Sequence, residues 1–138
     1  MRFARITYLV AGIYGLLLIT PLYFLEQQIG LEMPPAITHP EYFYGFVSVT
    51  LAWQVLFLLL ARDPVRYRPL MLPTLLEKFP YGIAVIILFA QQRVSGVVLV
   101  FGLIDLTLGV LFLMAYLKTG AAQSHVSAPA VTRQAAAH

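Results

Sequence analysis

Residues 6–25 read ITYLVAGIYGLLLITPLYFL, 20 positions without a formal charge, preceded by Arg2 and Arg5 and followed by Glu26. At about 1.5 Å of rise per residue, a helix of that length covers the roughly 30 Å hydrocarbon core of a bilayer. The run starts as a signal peptide does, with basic residues ahead of apolar ones. It exceeds the apolar region of a signal peptide, about 7–15 residues, and it closes on Thr20-Pro21-Leu22-Tyr23-Phe24-Leu25 without a small-x-small cleavage site. It is read as a retained membrane-spanning helix, and the rest of the chain repeats the pattern.

Residues 42–61 form a second uncharged stretch of 20. His39-Pro40 places a proline where a helix begins and its missing N–H costs nothing. Tyr42, Phe43, Tyr44 and Phe46 gather at one end, as an interfacial aromatic belt does. The third stretch has an uncharged core of only 14 residues, 79–92. Its helix is expected to begin near Pro73, to carry Glu77 and Lys78 in its first two turns, and to bend at Pro80. A tight hairpin, Gln91-Gln92-Arg93-Val94-Ser95-Gly96, leads into a fourth stretch that reaches about Leu117 and holds Asp105 near its middle. The expected helices are 4–25, 41–61, 73–92 and 94–117, within one domain of residues 1–118. Residues 119–138, small, polar and low in complexity, are expected to form a disordered cytoplasmic tail.

Composition agrees. The chain is 60% hydrophobic and 11% charged, against about a quarter charged in soluble domains, so lipid is the solvent for most side chains. The absence of cysteine excludes disulfides, Fe–S clusters, zinc-thiolate sites and thiol catalysis. The net charge of +3 is no nucleic-acid signal, because the basic residues lie in short loops between apolar runs. The expected fold class is all-α, an integral membrane up-down four-helix bundle, since short loops make consecutive helices antiparallel neighbours. Arg2, Arg5, Arg62, Arg66, Arg68, Lys78, Lys118 and Arg133 fall on one side and Arg93 alone on the other. The positive-inside rule then puts both termini in the cytoplasm of a bacterial inner membrane, with the acidic first loop outside.

Antiparallel helices allow depths to be compared. Asp105 lies 11 residues below Val94, about 16 Å deep. Tyr14, Gln54 and Tyr81 fall at a similar level on the other helices, with Lys78 and Glu77 just beneath. A mid-membrane carboxylate costs about 2.5–3.5 kcal/mol on insertion scales, so Asp105 is expected to face the interior with a partner. Lys78 is the first choice; a protonated Asp105 donating to Gln54 or a tyrosine is the second. Val98, Gly102, Asp105, Gly109, Phe112 and Tyr116 share one helical stripe, which turns the acid inward. The layer reads either as a ligand pocket or proton-handling site, or as interhelical polar glue that fixes register. Trp53, beside Gln54 and away from either interface, reads as a pocket aromatic or as ordinary packing.

Arg62, Arg66 and Arg68 form a basic second loop. Anionic headgroup contact, about 1 kcal/mol per basic residue, and simple topology determination both account for it. His39 and Glu41, with Glu26, Glu32 and Met33 near in sequence, amount to a weak metal or haem seed; capping and turn formation explain them better. No metal site, cofactor motif or nucleophile–base pair is identified, and no residue is assigned a catalytic role.

The run Ala61-Arg62-Asp63-Pro64-Val65-Arg66-Tyr67-Arg68-Pro69-Leu70, opening a helix with Glu77, resembles the small BphX-like membrane proteins. His39-Pro40-Glu41-Tyr42-Phe43-Tyr44-Gly45-Phe46 is similar to helix starts of the broader DoxX-like group. The resemblance covers residues 1–118 as architecture and implies a four-helix membrane fold. It transfers no catalytic residue; some DoxX-like proteins are associated with quinone-linked oxidoreduction. Three expectations follow for function. The first is an accessory or assembly subunit of a larger membrane complex, with glycine-lined faces on Gly12 and Gly15 and on Gly45, Ser48 and Ala52 to accept other helices; the expected partners are the lipid bilayer and other membrane subunits, or further copies of the chain in a homo-oligomer. The second is a binding or transport module for a quinone or lipid. The third is a membrane enzyme with Asp105 or Glu77 as acid or base.

Overall fold

A computed structural model gives the fold; it describes residues 1–126, with side chains as far as Ala121. Every regular element among the described residues is helical: α1 (Arg2–Ile19), α2 (Glu26–Glu32), α3 (Pro40–Arg62), α4 (Met71–Ala90) and α5 (Gly96–Val126). A 3₁₀ turn, Thr20–Phe24, prolongs α1, and another, Arg68–Leu70, opens α4. The chain is a multi-pass membrane protein by the length and composition of four spans, Arg2–Phe24, Pro40–Arg62, Arg68–Ala90 and Gly96–Ala121.

Prolines decide where the helices tighten or start. Pro21 falls in the first turn of the 3₁₀ segment, Pro40 opens α3 and Pro69 lies in the turn before α4. Pro80 is inside α4, where it lacks the N–H that would bond to the carbonyl four residues back. Helix α4 ends in a Schellman arrangement. The Arg93 N–H reaches the Leu88 carbonyl at 2.9 Å and the Gln92 N–H reaches the Phe89 carbonyl at 2.9 Å. Gln92 takes φ = 58°, the left-handed conformation that glycine adopts more readily.

Two hairpins make up the body. Helix α1 packs on α3, and α4 packs on α5; α1 on α5 joins them. In α4 and α5 the small residues Gly82 and Gly102 face one another. A Cβ added to Gly82 would come within 3.0 Å of the Gly102 carbonyl oxygen, and one on Gly102 within 2.6 Å of the Val85 side chain. Such close approach lets dispersion hold helices together in lipid, where apolar burial supplies no drive.

The main buried cluster occupies one half of the molecule, toward the basic end where α1 begins; Ile19, Val47 and Val85 are buried outside it. Within the cluster Tyr8, Phe57, Leu60, Met71, Phe112 and Ala115 are fully enclosed. Tyr8 stacks on Phe112 with ring centroids 4.3 Å apart, and Phe57 meets Phe112 edge-on at 5.0 Å. The Tyr8 hydroxyl lies 2.9 Å from the Thr74 hydroxyl, whose proton goes to the Met71 carbonyl at 2.7 Å, so Tyr8 donates. The opposite half is looser and is tied by side chains at its rim. Tyr44 donates to Glu26 at 2.8 Å, the hydroxyls of Tyr23 and Ser48 are 2.7 Å apart, and the two tyrosine rings stack at 6.1 Å.

Three expectations change. The first loop holds a helix, α2. All its prolines come after Met33, Glu26 suits the positive end of the helix dipole, and Gln28 bonds Glu32 one turn on at 2.8 Å. Helix α5 continues to Val126, so residues 119–126 are helical rather than part of a disordered tail; residues 127–138 lie outside the described residues. Thr119 is buried and back-bonds to the Ala115 carbonyl at 2.7 Å, and Ala121-Ala122, strong helix formers, carry the helix on past Gly120. Lastly, α3 and α4, adjacent in sequence, are not close backbone neighbours. Phe57, Leu60 and Met71 fill the basic half of the gap between them, and a cavity occupies the other half.

Candidate functional site

That cavity has a volume of about 390 Å³ and draws its walls from α1, α3, α4 and α5. The volume falls in the range of small-molecule sites, roughly 300–1,000 Å³. Tyr14, Gln54, Glu77, Lys78, Tyr81 and Asp105, matched by depth in the sequence, all line it, and so does Trp53. Its upper walls are apolar and partly open. Phe46, Val49, Tyr81 and Phe101 are exposed to the surroundings, which in this fold means acyl chains.

Lys78 organises the floor. It sits two turns into α4, and its side chain is 7% exposed. Its ammonium donates to Asp105 Oδ1 at 2.9 Å, the partner expected from the sequence, and to Glu77 Oε1 at 3.1 Å. The Nζ also lies 3.1 Å from Glu77 Oε2, but without hydrogen-bond geometry; that oxygen is buried and holds no hydrogen bond. One cation therefore serves two carboxylates, and the triad has a formal charge of −1. Beneath it, Nζ stands 5.6 Å from the centre of the Phe57 ring, so the Tyr8, Phe57 and Phe112 cluster plugs the route to the basic end.

The alternative pairing of Asp105 with Gln54 is not formed. Gln54 Nε2 donates instead to the Thr50 carbonyl one turn back, at 3.0 Å. Its side chain passes directly over Gly15, where a Cβ would collide with the amide group. A glycine at 15 is thus what lets Gln54 turn inward. Trp53 lines the cavity and packs on Phe57 at 6.5 Å between centroids.

The basic loop divides. Arg62 and Arg66 are exposed, and the Arg66 guanidinium lies 5.6 Å from the Tyr67 ring centre. Arg68, grouped with them as a headgroup contact, turns inward instead. Its Nε donates to the Tyr116 carbonyl at 3.2 Å, its guanidinium lies 3.9 Å from the Tyr116 ring centre, and it packs against Gly120. Because it caps the far end of the second hairpin, its first role is structural. His39 and Glu41 pair at 3.2 Å on the surface at the start of α3, and no group of three or more metal-ligating side chains occurs among the described residues.

Tyr8 and Thr74 were missed by the sequence reading. A hydroxyl at each of two buried helix positions was their available signal, since a buried tyrosine seeks a partner.

Fold and site together define a four-span, all-helical membrane protein with an internal cavity floored by an ion triad. Comparison of the chain with protein-family models, with curated proteins and with solved structures finds no match.

Proposed function

We propose that this chain binds a hydrophobic small molecule, a quinone or a lipid, within the membrane. The observation that carries the reading is the convergence of all six depth-matched polar residues on one 390 Å³ cavity with apolar, partly open walls. Interhelical polar contacts average about 0.6 kcal/mol where measured, so stability alone gives little reason to keep three ionisable groups there. The likeness of the helix-two start and second loop to DoxX-like and BphX-like proteins is in keeping with such a role. Trp53 is the only tryptophan in the chain and lines the cavity, which makes it a built-in reporter. In nanodiscs, decyl-ubiquinone or a brominated phospholipid is expected to quench Trp53 saturably, and native mass spectrometry to detect one bound molecule. Quenching that rises linearly with every apolar probe, with no retained mass, would defeat the reading.

A second reading, an accessory subunit, has narrower support. Gly12 and Gly15 already pack within the chain, and Ser48 bonds Tyr23. Gly45 has open space around it and offers a contact point for another helix.

The proposed location is a bacterial inner membrane with both termini in the cytoplasm, supported by the charge asymmetry of the loops. With no native cysteine, single labels give a clean test. Gln28→Cys is expected to react with an impermeant maleimide on intact spheroplasts, and Arg66→Cys only after permeabilisation; the reverse pattern inverts the topology.

A further inference from the structure

Resting on the cavity reading above, we infer that the molecule it takes carries a positively charged ammonium head on an apolar body. Three features of the floor and walls point the same way. The first is charge: two carboxylates share one lysine, so the triad of Glu77, Lys78 and Asp105 is short of one positive charge in a medium where a net charge is costly. The second is hydrogen bonding. The Lys78 ammonium gives two of its three N–H groups to the acids, so one donor stands against the remaining carboxylate acceptors. What the floor has in excess is acceptors, above all Glu77 Oε2, buried and without a hydrogen bond. The last torsion of a glutamate side chain is broad and soft, so that oxygen can exchange its 3.1 Å ion contact with Lys78 Nζ for a charged donor in the cavity. The third is the wall. Trp53, Tyr14 and Tyr81 ring the space above the acids, and aromatic faces attract cations most when water is excluded.

An oxidised quinone offers only acceptors, so it competes for one lysine donor where an amine meets several carboxylate oxygens, and it binds more weakly. An anionic head meets a site already one negative charge in excess. A long-chain amine supplies both the missing charge and N–H donors, while its tail leaves by the open side of the cavity among acyl chains.

The test compares heads on one chain length. The full protein in nanodiscs is titrated with dodecylammonium, dodecanol and dodecyl sulfate at sub-solubilising concentrations, with decyl-ubiquinone alongside. Trp53 emission and native mass spectrometry report occupancy. Dodecylammonium is expected to bind at least ten times more tightly than dodecanol or decyl-ubiquinone, and dodecyl sulfate not measurably. In Glu77→Gln the tenfold preference of dodecylammonium over dodecanol is expected to vanish. The comparison of heads in the unmodified chain needs no variant, so it decides the matter even if Glu77→Gln fails to fold. Saturable binding of decyl-ubiquinone or dodecanol as tight as that of dodecylammonium overturns the inference and leaves the cavity reading standing. If no probe binds, both fall, and a proton is the simplest neutraliser of the triad.

Discussion

Lys78→Met is expected to destabilise the protein by about 3–5 kcal/mol, the scale seen when one partner is removed from a buried ion pair. The lysine side chain is 7% exposed, and its two acids are 15% and 19% exposed, so water has little access to the charges left behind. The triple change Glu77→Gln, Lys78→Met, Asp105→Asn removes every charge at once and is expected to recover most of the loss. Thermal unfolding in detergent, followed by helical circular dichroism and Trp53 emission, measures both. If Lys78→Met melts within the error of the unmodified chain, the triad is not buried as described. If the triple change melts no higher than Lys78→Met, the damage comes from packing on Phe57 and not from stranded carboxylates.

The second large effect is expected at Phe112. Phe112→Ala removes a fully enclosed ring that stacks on Tyr8 and meets Phe57, at a cost of about 3–5 kcal/mol. Phe101→Ala deletes the same side chain from the same helix, but from an exposed wall of the cavity, and is expected to cost well under half as much. The pair of unfolding curves therefore tests the uneven distribution of the core. Equal losses would mean that packing is spread along the whole length of α5.

Much of this molecule is legible in the chain, and the boundary of what is legible has physical causes. Uncharged runs of about 20 residues announce the spans because in lipid a single segment satisfies its own backbone groups only as a helix. The interior layer follows from one further step, since antiparallel helices of known rise put Asp105 level with Gln54, Tyr14 and Tyr81, and insertion cost turns the acid inward. That arithmetic reached Lys78 as the partner, because its four-carbon stem bridges a turn. It could not separate the halves. Phe57 and Phe112 in the plug, and Phe46 and Phe101 in the open wall, are the same residue type at helical spacing, and hydropathy does not tell enclosed from lipid-facing when both environments are apolar. Arg68 is a related case: its charge argues for a surface, while its engagement of Tyr116, 48 residues away, depends on how the second hairpin closes. The helix α2 was hidden by composition, since three prolines in one loop read as uniformly irregular although none falls between Glu26 and Glu32.

All three members of the triad come from the second hairpin. Lys78 and Glu77 stand on α4, and Asp105 on α5, 27 positions after the lysine. Opposite charges that meet within a single hairpin offset one another, so that hairpin holds one excess negative charge and not three separate ions. The cavity draws on both halves of the chain: Tyr14, Trp53 and Gln54 come from the first hairpin and the triad from the second, so neither half holds the site alone.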